Sequence, residues 1–282
     1  MASLAVSACE DNNVDSLLGP GPGVARGRTV FGIDDNNVLI SFGLGNPTLS
    51  ARKMTVTGLQ TGERILGIDF GPRDNRLYGV GSSSRLYVID TTSGVAGRTS
   101  AGLPGNPSFT PPLDAGNGLC VDFNPVPNLV RVQSTTRQNL RLRPDTGTVA
   151  GVDTPVAYVA GDVGASSVPV IAACAYTNSS NATIPTTTQL FAIDAGRDAL
   201  VLFQGSPNLG QIATVGSLGV QTTENAGFDI AGAGEGAGTL YLSLNQSGGR
   251  SSLYTASAAT GAATFIGEIN HARPLLGIAI AP

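Results

Sequence analysis

One short apolar phrase recurs along this 282-residue chain. It reads "ILGIDFGP" at 65–72, "GLCVDFNP" at 118–125, "NAGFDIAG" at 225–232 and "LLGIAIAP" at 275–282. Aligned on its small residue, it puts Gly67, Cys120, Ala173, Gly227 and Gly277 in register, 53, 53, 54 and 50 residues apart. Two positions on stand Asp69, Asp122, Ala175, Asp229 and Ala279. Self-similarity at such a period marks propellers or arrays rather than a single irregular domain.

Each copy continues with the same kind of material. After "GIDF" come a turn, "RLYGVG" (76–81), "RLYVIDTTSG" (85–94) and "VAGRTSA" (95–101). The last full copy runs "AGFDI", "GTLYLSL", "SSLYTASAATG" and "AATFIGEI". Runs of four to eight residues rich in Val, Leu, Ile, Tyr and Thr, bounded by Gly, Asn, Asp and Ser, read as strands. Nothing between them has the length or period of a helix. The 38 Gly and 17 Pro fit this turn-rich reading.

The ends decide between an open array and a ring. Residues 29–59 supply three strands but lack the opening phrase, and the missing phrase stands at the C-terminus. A ring that pairs its last strand with its first three has this order and leaves no large sheet edge exposed. The expected fold is therefore all-β, a five-bladed β-propeller over 28–282. Its blades are about 28–60 plus 274–282, 61–103, 116–160, 168–219 and 222–270. Residues 1–27 form an extended arm, with strand-like "SLAVSA" and a Gly-Pro linker.

The segments "GIDFGPRDNRLYGVGSSSRLYVID", "VDFNPVPNLVRVQSTTRQNLRLRPDTG", "AYTNSSNATIPTTTQLFAID" and "TVGSLGV" resemble the secreted, mostly microbial proteins of domain of unknown function 4394. The resemblance runs over about 29–282. It implies a propeller-like β fold and export, and no catalytic residues.

Asp69, Asp122 and Asp229 share one register of the innermost strands. As a ring of carboxylates they are candidates for Ca²⁺ binding or, in pairs, for acid–base work on a sugar. Alternatively each accepts hydrogen bonds that fix blade against blade, because buried charge must be paired. Asp90, Asp145 and Asp194 lie in hairpin turns, where Asp bonds its own backbone. His271 is the only histidine and reads as a solvated loop residue. No Ser–His–Asp arrangement with a nucleophile elbow and no histidine-based zinc site is available. No cofactor is expected beyond the Ca²⁺ alternative.

Cys120 and Cys174 fall on opposite faces of adjacent units, open to a disulfide or to two buried thiols. Cys9 is left over in the arm, where an odd cysteine suits pairing between chains. Asn178, Asn181 and Asn245 head three glycosylation sequons, all expected in surface turns.

Net charge is −4 with no basic block, which argues against nucleic acid as a partner. No apolar run is long enough for a membrane helix. "MASLAVSACEDNN" lacks a basic start and a long apolar core and does not read as an intact signal peptide. The favoured expectation is an extracellular or cell-surface, non-catalytic structural protein that assembles with itself, as a homo-oligomer or a filament, through its arm. The alternatives are a glycan- or Ca²⁺-binding propeller and, behind it, a carboxylate glycosidase.

Overall fold

The computed structural model describes residues 27–99, 107–114, 116, 118–246 and 249–282. The arm, including Cys9, lies outside the described residues except for Gly27. Five antiparallel sheets are arranged around one axis. The first blade holds β1 (Thr29–Asp34), β2 (Val38–Gly43) and β3 (Asn46–Thr55). The second holds β4 (Ile65–Phe70), β5 (Leu77–Gly81), β6 (Arg85–Ile89) and β7 (Ala96–Arg98). The third holds β8 (Leu119–Asn124), β9 (Leu129–Ser134), β10 (Asn139–Leu142) and β11 (Val149–Val152), and the next strand is β12 (Ala157–Tyr158). The fourth contains β13 (Ile171–Tyr176), β14 (Leu190–Asp194), β15 (Ala199–Phe203) and β16 (Gln211–Ser217). The fifth contains β17 (Ala226–Ile230), β18 (Leu240–Leu244), β19 (Ser252–Ala256) and β20 (Ala263–Glu268).

The final strand, β21 (Leu275–Ile280), pairs with β1 and completes the first blade. Its register runs Val30↔Ile280, Gly32↔Ile278 and Ile33↔Gly277. The ring thus closes with the C-terminal strand innermost, as the displaced phrase predicts. One boundary differs from expectation. Residues 157–158, assigned above to the third unit, leave it as β12 and add in parallel to β16 on the outer edge of the fourth sheet. Tyr158 is anchored there by its hydroxyl, which donates to buried Asp194.

The repeated phrase is the innermost strand of each blade, and every residue of β4, β13 and β21 is buried. These strands are apolar on both faces because each is packed against the blades on either side. At the outer edge, β11 has only half-buried and exposed positions, and β20 has a single buried one, Gly267. Side chains such as Ile68 and Phe123 fill the space between blades, each contributing about 2 kcal/mol of burial.

Small residues let the five inner strands approach the axis. A methyl group on Gly227 would lie 2.6 Å from the Ile278 backbone nitrogen, so only glycine fits. With Gly67, Val121, Ala173 and Gly277 around it, the axial void is only about 10 Å³, at the limit for a single water. The propeller is plugged at mid-height. Cys120 of β8 and Cys174 of β13 are disulfide-bonded, with Cα atoms 5.0 Å apart, and staple the third blade to the fourth next to this plug.

Candidate functional site

At one end of the plug, the residues following the acid register turn five backbone amides toward the axis: Phe70, Phe123, Tyr176, Ile230 and Ile280. Three carboxylates serve all five. Asp69 accepts from its own neighbour Phe70 at 2.7 Å and from Phe123 of the next blade at 2.7 Å. Asp122 accepts from Tyr176 of the next blade at 2.9 Å. Asp229 accepts from Ile230 at 2.6 Å and from Ile280 of the closing strand at 2.6 Å. Where Ala175 and Ala279 replace the acid, the following blade's Asp caps its own downstream amide instead. A register with two alanines therefore leaves none of the five amides unpaired.

Each of the three acids also brings an oxygen within 4.8 Å of the others, a spacing that can hold a metal ion. All three are buried, with 3–8% of their surface exposed. Burial disfavours the charged form and raises each of them. Desolvation, followed by the nearby Asp229 charge, pushes Asp69 well above the usual carboxylate range. Desolvation and then the Asp69 and Asp229 charges do the same to Asp122. Desolvation raises Asp229 to about 6, against the pull of its two amides. The trio thus takes up protons more readily than exposed carboxylates do.

Above the trio the axis opens into a cavity of about 480 Å³. Asp69 and Asp229 border its floor, with Phe70 beside them, while Arg28, Glu235 and Asn181 stand around it. Asp122 does not line it. Arg28 fixes the first blade to the glycine-rich 231–238 segment: its backbone amide donates to Glu235 at 2.9 Å, and its guanidinium donates to the Ala233 and Ala281 carbonyls. A second cavity of about 390 Å³, at the opposite ends of the inner strands, includes Asp35, Arg64, Leu66 and Leu276.

Several predicted residues lie elsewhere. His271 is not solvated. It is buried, and its Nε2 donates to Oδ2 of fully buried Asp34 at 2.9 Å. The loop that carries it folds back on the first blade just before β21, which the residue's sequence neighbours do not disclose. Asn245 is likewise no surface acceptor. It is 2% exposed, and its side-chain amide caps the Gly249 and Arg250 carbonyls at 2.7 and 3.2 Å. Asn178 and Asn181 are exposed, in the loop after β13. Asp90 bonds the Thr92 and Ser93 amides of its own turn, whereas exposed Asp145 lies in the turn after β10.

A buried polar cluster away from the axis has no signature in the repeat. Arg131 of β9, 1% exposed, donates to Asn139, Asp153, Asn208 and the Tyr176 hydroxyl. Arg141 grips Asp153 through two further bonds of 2.8 Å. This network ties the third blade to the fourth. The one signal for it is an arginine set between the buried Val130 and Val132 of β9, with polar Gln133 on the same face.

Residues 38–279 match the model of a family described only as a domain of unknown function, DUF4394. The chain belongs to the DUF4394 family. No curated protein matches it. Among solved structures, this DUF4394 protein is similar to a chain of a nidogen–laminin complex, with TM-score 0.51, 14% identity, and coverage of 91% of this chain and 99% of that one. It is also similar to a protein of unknown function from Bacteroides thetaiotaomicron, with TM-score 0.52, 14% identity, and coverage of 92% and 65%. At such identities these likenesses show the fold alone.

Proposed function

We propose that this chain is an exported binding propeller that takes a small, hydroxyl-rich ligand of the glycan class at its axial mouth. The observation that carries this reading is the cavity of about 480 Å³, closed below by the plug and lined by Arg28, Asp69, Ser180, Asn181, Asp229 and Glu235. Its volume suits a small ligand, and its mixture of donors and acceptors suits sugar hydroxyls. Binding fits better than catalysis: both oxygens of Asp69 and of Asp229 already accept backbone amides, which ties down the two acids a glycosidase would need free.

Calcium is the competing occupant. It takes six to eight oxygens, whereas five of the six that the trio carries already accept backbone amides, and it would have to compete with the protons that burial favours on them. A glycan array followed by calorimetry on the best glycan tests the reading, with Glu235→Ala expected to lower affinity. No glycan bound above background would end it. A rise in melting temperature on adding Ca²⁺, lost in Asp122→Ala, would move the assignment to the cation.

A second reading, surface self-assembly, is supported by β12. That strand is an extended segment added to a blade's outer edge, and β11 ends its own sheet, an edge to which another segment could add. Residues 1–27 are the segment proposed to do so. Deleting them should abolish an oligomer seen by light scattering and leave the propeller folded; an oligomer that persists rules the arm out.

A further inference from the structure

Resting on the axial mouth as the binding site, we propose that the loop 177–189 is a strap whose tip controls entry to that cavity. The loops that follow the inner strands at this end differ in length. Those of the second, third and fifth blades are 71–76, 125–128 and 231–239, while the fourth blade's runs from 177 to 189. It does not stand up from its own blade. Ser179, Ser180 and Asn181 line the axial cavity. The Asn181 side-chain amide reaches Oδ1 of Asn75, on the second blade, at 3.2 Å. The Ser179 carbonyl rests against Gly232 of the fifth blade so closely that a side chain at 232 would collide with it. The strap thus spans three of the five blades over the axis.

Its base and its tip are held differently. At the base, Thr177 pairs with Gln189 through backbone and hydroxyl, Thr188 donates to the Thr177 carbonyl at 2.6 Å, and Asn178 donates to the Thr187 carbonyl at 3.0 Å. Asn181–Asn75 is the tip's cross-axis hydrogen bond, and it is exposed. A stitched base with a singly pinned tip is the arrangement of a hinged cover. The Asn181 sequon lies at this pin, so a group attached to its amide would take one of the two N–H hydrogens able to donate to Asn75.

Cavity access can be read without any ligand. In a Cys9→Ser background, a reporter cysteine is placed in the cavity lining as Pro72→Cys and, separately, as Ala231→Cys. Alkylation by iodoacetamide and by a bulky maleimide is then timed with the strap pinned and with the pin removed by Asn181→Ala. Losing one such hydrogen bond should raise the open population, and with it the maleimide rate, about fivefold, with the melting temperature unchanged. Equal maleimide rates in pinned and unpinned proteins would overturn the strap, as would reporters that stay inert when unpinned. A strap that opens in a protein that binds no glycan would sink the ligand reading alone.

Discussion

Ile280, in the last strand of the chain, donates its backbone amide to Oδ2 of Asp229 at 2.6 Å, so the strand that completes the first blade is held by the fifth. The same carboxylate caps Ile230 of its own strand. Ring closure here is a side chain-to-backbone bond repeated around the axis. The acids in the recurring phrase are therefore part of the propeller's construction before they are part of any site.

Counting amides ranks the three acids. Asp69→Ala and Asp229→Ala each strip two buried amides of their acceptor, and Asp122→Ala strips one. An unmet buried donor costs about 1–3 kcal/mol, and water entering from the mouth trims the loss at positions 69 and 229. Urea unfolding at pH 5 should show Asp69→Ala and Asp229→Ala losing about 2–4 kcal/mol and Asp122→Ala about half that. An equal loss for all three would deny the shared-amide arrangement.

The raised acids make stability depend on pH in the less common direction. Their folded values lie above the unfolded one, so the folded protein binds more protons than the unfolded chain. Stability from this source is complete below about pH 4 and is lost as pH rises through about 6 for Asp229 and through the raised ranges of Asp69 and Asp122. For Asp229 alone the loss by neutral pH is about 3 kcal/mol. Asp35, lowered by its hydrogen bonds to Arg273, and Asp90, lowered by the Ser93 and Thr92 amides, act oppositely below pH 4. The melting temperature should therefore peak near pH 4–5 and fall toward pH 8. Asp69→Asn with Asp122→Asn should flatten the fall, and a wild-type curve that rises from pH 5 to 8 would contradict the burial argument.

The disulfide closes a loop of 54 residues between adjacent inner strands. Loop entropy assigns such a link about 4 kcal/mol. Replacing Cys120 and Cys174 together by Ala should lower the guanidinium midpoint accordingly. Reductant should lower the wild-type midpoint toward the variant's and leave the variant unmoved.

The ring and its closing strand are legible in the chain because a period and a displaced phrase are one-dimensional properties. So is the acid register, since residues at one position of equivalent strands must meet near the axis. The sharing of five amides among three acids is not legible. It depends on where Ala175 and Ala279 fall around a closed circle, and on Asp69 and Asp229 each turning one oxygen back on its own strand. Arg131 escapes for a similar reason, as its partners lie from 8 to 77 positions away. Asn245 shows the limit of reading a motif by its letters: a sequon names a side-chain amide, and only the fold shows that the amide is already spent on two carbonyls.

The closing seam offers the sharpest contrast between two neighbouring residues. His271, 7% exposed, donates Nε2–H to Asp34, whose other oxygen accepts the Asn36 and Val38 amides at 2.8 and 2.7 Å. Arg273 forms two bonds of 2.6 Å to Asp35 from a side chain that is 44% exposed. Ion pairs in water contribute little, whereas the buried Asp34 carboxylate, on losing its His271 donor, is left with Oδ2 facing only the Arg273 guanidinium at 3.9 Å. His271→Ala should therefore cost about 1–3 kcal/mol in urea unfolding. Arg273→Ala should move the midpoint by less than half as much. Hydrogen exchange should locate the His271→Ala loss in β1 and β21, the two strands the loop holds together, before any other blade opens. Uniform loss of protection across all five blades would show that His271 supports the ring as a whole rather than its seam.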